Sequence, residues 1–172
     1  MITFAGQRIY MRYFIQLSYN GTNYSGWQIQ PNASSIQEAL NEALSKILRQ
    51  EIYVVGAGRT DAGVHARQMF AHFEFDSPVD AKQLTYRLNR FLPEAIAVQR
   101  VFLVNDDAHT RFSATSRSYE YWISTSKSPF LVDWSWYLEQ PLDVNAMNES
   151  ATKLLGEQDF TSFSKSCLLY TS

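Results

Sequence analysis

Between Met11 and Val104 the apolar residues switch from strand-like alternation to helical spacing and back, and then do so again, which limits the fold more than any other feature. Tyr13, Ile15, Leu17 and Tyr19 alternate with Arg12, Phe14, Gln16 and Ser18, the pattern of a half-buried strand ended by the Asn20-Gly21 turn. Ser35 and Glu38 form a capping box ahead of Ile36, Ala39, Leu40, Ala43, Leu44, Ile47 and Leu48, which line one face of a helix. Residues 52–55 predict a second strand and residues 68–75 a third, with Met69, Ala71, Phe73 and Phe75 on one side. Asp80 and Gln83 cap a second helix whose stripe is Ala81, Leu84, Leu88 and Phe91 and whose end is marked by Pro93; residues 96–104 supply a fourth strand. Strand, helix, strand, strand, helix, strand is the order of an α+β, ferredoxin-like (βαββαβ) unit: an antiparallel sheet with both helices on one face and the other face open to a ligand.

A polar loop follows over residues 105–117, then an expected strand at 118–124, the aromatic stretch Trp134-Ser135-Trp136-Tyr137, and a helix from Asp143 to Leu155 closed by Gly156. This is the start of a second unit, incomplete as it stands, because one helix and one or two strands do not bury a core. The expected division is therefore an extension at 1–10, a first unit at 11–104, the start of a second at 105–163 and an atypical tail at 164–172.

Composition narrows the class. Hydrophobic residues make up 45% and aromatics 15% of the 172 positions, which argues against disorder. A net charge of -2 gives no global basic signature, yet Arg59, Arg67, Arg87, Arg90, Arg100, Arg111 and Arg117 gather in the middle of the chain. A basic groove would have to come from three-dimensional sorting, and a mixed solvated surface is the plain alternative. The single Cys167 excludes an internal disulfide framework, and three scattered histidines give no zinc spacing. No window reaches the ~20 apolar residues of a membrane span and no export signal is evident, so a reducing cytoplasm is expected.

Chemistry concentrates in Arg59-Thr60-Asp61-Ala62-Gly63-Val64-His65-Ala66, which sets a carboxylate beside a guanidinium in a glycine-bracketed turn after Val54-Val55-Gly56-Ala57-Gly58. A dinucleotide fingerprint needs glycine where Asp61 stands, and a P-loop needs Gly-Lys-Ser/Thr, which never occurs. Asp61 is then the candidate functional group; closing an Asx-turn is its bland alternative. Asp106-Asp107 reads as a solvated turn rather than a metal site.

The stretch Gly58 to Ala66 resembles the catalytic motif of the bacterial-type tRNA pseudouridine synthase A family, which acts on the anticodon arm. The resemblance continues in order through Tyr19-Asn20-Gly21-Thr22-Asn23-Tyr24-Ser25-Gly26-Trp27-Gln28, Ser35-Ile36-Gln37-Glu38-Ala39-Leu40, Arg111-Phe112-Ser113-Ala114-Thr115-Ser116-Arg117-Ser118-Tyr119-Glu120-Tyr121 and Gly156-Glu157-Gln158-Asp159-Phe160-Thr161-Ser162-Phe163. It implies the pseudouridine synthase fold, uridine isomerisation in the anticodon stem-loop, tRNA as partner, a homodimer at full length, and neither cofactor nor metal.

It also implies roles. Asp61 acts on the ribose or the base, either adding to a carbon or removing the C2′ proton to give a glycal. Arg59 helps hold the target nucleotide out of its helix, a step costing a few kcal/mol; its place two residues from Asp61 separately suggests an ion pair between them. Tyr119 stacks on the extruded base and relays the C5 proton; from pattern alone it is a half-buried sheet aromatic beside Tyr121 and Ile123. Tyr24, Trp27 and Gln28 offer an aromatic platform and amide donors for unpaired bases, although Trp27 reads equally well as a hydrophobic plug. Arg111 and Arg117 are phosphate contacts, and His65 reads as structural. The family's later basic motif, in a Val-Arg-like segment, is absent, and residues after Phe163 match nothing expected there, so a C-terminal truncation is the reading.

A non-catalytic RNA-binding module with an RRM-like sheet is the main alternative. It would carry a Lys/Arg-Gly-Phe-Gly-Phe pattern that the first and third strands lack. A ferredoxin-like oligomerisation or small-molecule domain without RNA is the third.

Overall fold

The computed structural model describes residues Tyr10–Phe163; residues 1–9 of the expected 1–10 extension, the tail at 164–172 and Cys167 lie outside them. The chain divides into two compact units between Ser118 and Tyr119.

The first unit runs β1 (Met11–Tyr19), α1 (Ile36–Leu48), β2 (Val55–Gly56), β3 (Ala66–Phe75), α2 (Ala81–Phe91) and β4 (Ile96–Val104). Its sheet has the order β2-β3-β1-β4, with every pairing antiparallel. The alternation read in β1 is observed: Tyr13, Ile15, Leu17 and Tyr19 are buried, in one cluster with Ile36, Leu40, Ala43 and Leu44 of α1 and Leu84 and Leu88 of α2. Both helices therefore cover the same face. Each leucine or isoleucine among them contributes roughly 1.5–3 kcal/mol when fully buried. Ser35 caps α1 by accepting from Glu38 N at 3.2 Å, and Asp80 caps α2 by accepting from Gln83 N at 3.0 Å. Phe91, placed in the buried stripe by its spacing, is 44% exposed at the end of α2 and lies under the Lys46 ammonium.

One sheet edge departs from the sequence reading, whereas β4 at the other spans the expected residues 96–104. Ile52 and Val54 are buried, but only Val55–Gly56 pairs with β3. The polar flank of α1 takes the preceding backbone instead: Ile52 N donates to Ser45 Oγ (2.9 Å), Val54 N to Asn41 Oδ1 (2.9 Å), and Gln37 Nε2 to the Val54 carbonyl (2.8 Å). At the opposite edge α2 does the same for β4. The Asn89 amide accepts from Val98 N at 2.8 Å and donates to Val98 O at 2.7 Å, while Val101 N donates to Thr85 Oγ1 at 3.1 Å.

Residues 105–117, assigned by the sequence to the second unit, are bonded to the first. Arg12 Nη1 donates to the Ala108 carbonyl (2.9 Å), and Thr110 Oγ1 donates to the Val55 carbonyl (3.0 Å).

The second unit holds β5 (Ile123–Ser124) and β6 (Trp136–Tyr137), paired in parallel, then α3 (Val144–Thr152) and a 3₁₀ turn at Thr161–Phe163. The strand expected over 118–124 is thus reduced to its last two residues, and the helix stops three residues before Leu155. Gly156 follows with φ +92°, a left-handed conformation suited to glycine. Among the described residues of this unit none is buried, so no packed face holds a longer strand in place.

Candidate active site

The Asp61 turn sits where β1 ends and β3 begins, and two irregularities in the ladders lie toward that end of β1. The register shifts between Leu17 and Tyr19 against β3 and between Gln16 and Leu17 against β4. Such bulges re-aim the residues that follow. Here the following residues are Asn20-Gly21 and the loop to Gln28, which packs backbone to backbone on the turn. Trp27 N donates to the Thr60 carbonyl (3.2 Å), Gly63 N donates to the Tyr24 carbonyl (3.2 Å), and the Tyr19 hydroxyl meets Thr60 Oγ1 at 3.1 Å.

Glycine is required at two of these contacts. A Cβ at Gly21 would stand 2.1 Å from the Val64 carbonyl oxygen, and one at Gly26, where φ is +90°, would stand 2.1 Å from that of Thr60. Val64 N closes the turn by donating to the Asp61 carbonyl (3.3 Å), with Gly63 at φ +78°. His65 Nδ1 accepts from Gly21 N at 3.1 Å, a structural bond of the kind its position predicted. Asp61 itself is exposed at the tip of this doubly braced turn.

Arg59 is exposed as well, and the two form no ion pair. The expected pairing is corrected on physical grounds: between solvated groups it gains at most ~1 kcal/mol, too little to hold two mobile side chains together. Trp27 is a second correction. It is only 3% exposed, wedged against Gly56, where a Cβ would stand 2.3 Å from the indole, and tilted on Tyr19 at 6.3 Å. The plug reading holds, and its indole is no solvent-facing platform. Tyr24 is half-buried, which pushes its hydroxyl pKa up and keeps it a donor, and Gln28 is exposed.

Arg117 reaches this region from the 105–117 loop. Its Nη2 donates to the carbonyls of Ala57 and Arg111, both at 2.8 Å, and its Nε lies 3.7 Å from where a Gly58 Cβ would be. One guanidinium nitrogen is thus engaged by backbone immediately before Arg59. Arg111 is exposed and lies over the Phe112 ring at 5.9 Å. Tyr119 belongs to the second unit and is 69% exposed, outside any strand, not the half-buried sheet aromatic its alternation predicted.

Two residues that sequence reading passed over bind the loop to the sheet. His72 of β3 is buried and meets Thr110 Oγ1 at 2.8 Å. Burial lowers the imidazole to about 4, aided by nearby His109 and Arg12 and opposed by Glu74, so it is neutral at pH 7. The only sequence signal was a histidine inside an aromatic strand. Among the described residues no cluster of three metal-ligating side chains occurs, and no helix is long and apolar enough to cross a membrane.

Residues 16–113 match the family model described as tRNA pseudouridine synthase, a span that takes in the braced turn and its partner loop. A tRNA pseudouridine synthase A of Bacteroides fragilis is 53% identical over 155 residues, covering 90% of this chain and 62% of that protein. The Bacteroides thetaiotaomicron protein of the same name is 53% identical over 154 residues, covering 90% and 57%. One from Thermoanaerobacter pseudethanolicus is 39% identical over 154 residues, covering 88% and 63%. The chain thus spans less than two thirds of the length of these curated relatives. With this match over residues 16–113 and relatives 53% identical, the chain belongs to the tRNA pseudouridine synthase family.

Proposed function

We propose that the whole protein converts uridine to pseudouridine in the anticodon stem-loop of tRNA, with Asp61 as the catalytic carboxylate. The reaction breaks the bond from N1 to C1′, turns the base and joins C5 to C1′ with loss of the C5 proton, so it needs no redox partner. The observation that carries the reading is the brace itself: Gly21 and Gly26 lock the Tyr24 loop onto the turn and present Asp61 to solvent on fixed backbone. A carboxylate held this way can act on a ribose or base brought to it, and acid-base help of this kind typically supplies ~10² to 10⁴ in rate. Arg59, exposed two residues away, suits the phosphate or ribose of an extruded nucleotide, and Tyr119 suits its base. Tyr24, Gln28 and Arg111 are proposed RNA contacts. The ferredoxin-like reading of the first unit is supported by its element order and by the sheet order β2-β3-β1-β4. A cytoplasmic homodimer remains part of the proposal for the full-length enzyme.

The test is tritium release from C5-labelled uridine in tRNA, using protein expressed from its full reading frame. Asp61→Asn is expected to abolish release while tRNA affinity stays within about threefold, because the amide keeps shape and loses the base or nucleophile. Turnover by Asp61→Asn within tenfold of wild type would remove Asp61 from the catalytic role. Salt-sensitive tRNA binding by a wild-type protein that releases no tritium would instead favour the RNA-binding module.

A further inference from the structure

The loop over residues 105–117 is fixed to the first unit at three separated points. At its near end Arg12 Nη1 donates to the Ala108 carbonyl at 2.9 Å, while its Nη2 pairs with Glu74. In the middle Thr110, 4% exposed, donates to the Val55 carbonyl at 3.0 Å, and His72 Nδ1 meets both its hydroxyl, at 2.8 Å, and its backbone N–H, at 3.5 Å. At the far end Arg117 donates to Ala57 O and folds the loop on itself through Arg111 O, both at 2.8 Å. Aromatic edges fill the space between: His109 meets His72 at 4.6 Å and Phe112 at 4.4 Å. Val55 and Ala57 flank Gly56 on the segment that feeds Arg59 and Asp61.

We infer that His72 and Thr110 are positioning residues: they form a latch that seats the 105–117 loop, so that Arg117 fixes the backbone from Ala57 to Gly58 and with it the aim of the Asp61 turn. This rests on the reading of Asp61 as the catalytic carboxylate. The chemistry favours a latch over incidental packing. The Thr110 hydroxyl gives its proton to a carbonyl at the sheet edge, and a neutral imidazole 2.8 Å away holds the same hydroxyl without burying a charge. His72, Thr110 and Val55 thereby tie β3, the loop and β2 together at one hydroxyl. Arg117 needs this support. A guanidinium bonded to two neutral carbonyls keeps much of its attraction for phosphate, and only a seated loop holds it over Gly58 rather than in solvent.

Thr110→Val keeps the side-chain shape and removes the hydroxyl, while Thr110→Ser keeps the hydroxyl, so the pair separates the latch from packing. Two readouts apply: the rate of tryptic nicking between Arg111 and Phe112 in the 172-residue chain, and the kcat and KM of tritium release in protein from the full reading frame. Thr110→Val should raise nicking about tenfold, since cleavage follows the open population. It should lower kcat about tenfold with KM within about threefold, as expected when reacting groups are mis-aimed rather than lost. Thr110→Ser should restore both. Nicking of Thr110→Val at the wild-type rate would overturn the latch, and faster nicking with unchanged kcat would overturn its positioning role. If wild type itself releases no tritium, the reading of Asp61 falls, and the nicking comparison still decides the latch.

Discussion

Gly26 occupies a position that no other residue fills without moving backbone. Its φ of +90° disfavours any side chain, and the nearest atom to an added Cβ, 2.1 Å away, is a main-chain carbonyl that cannot rotate aside. Gly26→Ala is expected to cost roughly 3 kcal/mol or more, read as a fall of ~10 °C or more in the Tm of the first unit. Gly63→Ala, where φ is +78° but nothing lies within 4 Å, should cost only about 1–2 kcal/mol. Equal losses in the two variants would show that dihedral strain, not the contact with Thr60, sets the penalty. These residues also mark how far the sequence could be read. Gly56, Gly58 and Gly63 mark the turn in the sequence, yet Gly63 has nothing within 4 Å of an added Cβ, and the tightest backbone contacts fall at Gly21 and Gly26, against Val64 and Thr60. For Trp27 the sequence left platform and plug level, because the choice depends on Gly56, which is distant along the chain and adjacent in space.

Among the elements, β1, α1, α2 and β4 were legible because each is governed by its own periodicity and caps, which are local. The β2 edge was not. Whether residues 52–54 pair as a strand depends on which partner reaches their backbone first, and Gln37, Asn41 and Ser45, spaced one helical turn apart, reach it from α1. Hydrophobic patterning carries no trace of that competition. Nor does it forecast that the strand expected at 118–124 lacks a buried face to hold it. The Asn89 amide, which pairs with both backbone groups of Val98, substitutes for a neighbouring strand. Asn89→Ala should therefore cost about 1–3 kcal/mol in urea unfolding and promote concentration-dependent association in light scattering, because it leaves an edge unpaired. A monomeric Asn89→Ala protein of wild-type stability would refute this role for the side chain.

At the scale of the whole molecule the two units differ in what holds them. The first has a continuous core from Tyr13 to Val101, whereas in the second Tyr121, Phe130, Val132 and Leu155 are each more than 70% exposed. Limited proteolysis should digest the chain from the second unit and leave a resistant fragment ending near Ser118; early cuts within α1 or β3 would contradict that order. Such a fragment would include the 105–117 loop, which the sequence reading had placed beyond the boundary. The sealed sheet edges bear on synthesis as well as on shape. Ser45, Asn41, Gln37, Thr110 and Arg117 bind the outward groups of one edge and Thr85 and Asn89 those of the other. Every one of these side chains has left the ribosome once Arg117 has emerged. Both edges of the four described strands then have their side-chain partners, so the first unit can begin to fold while translation continues.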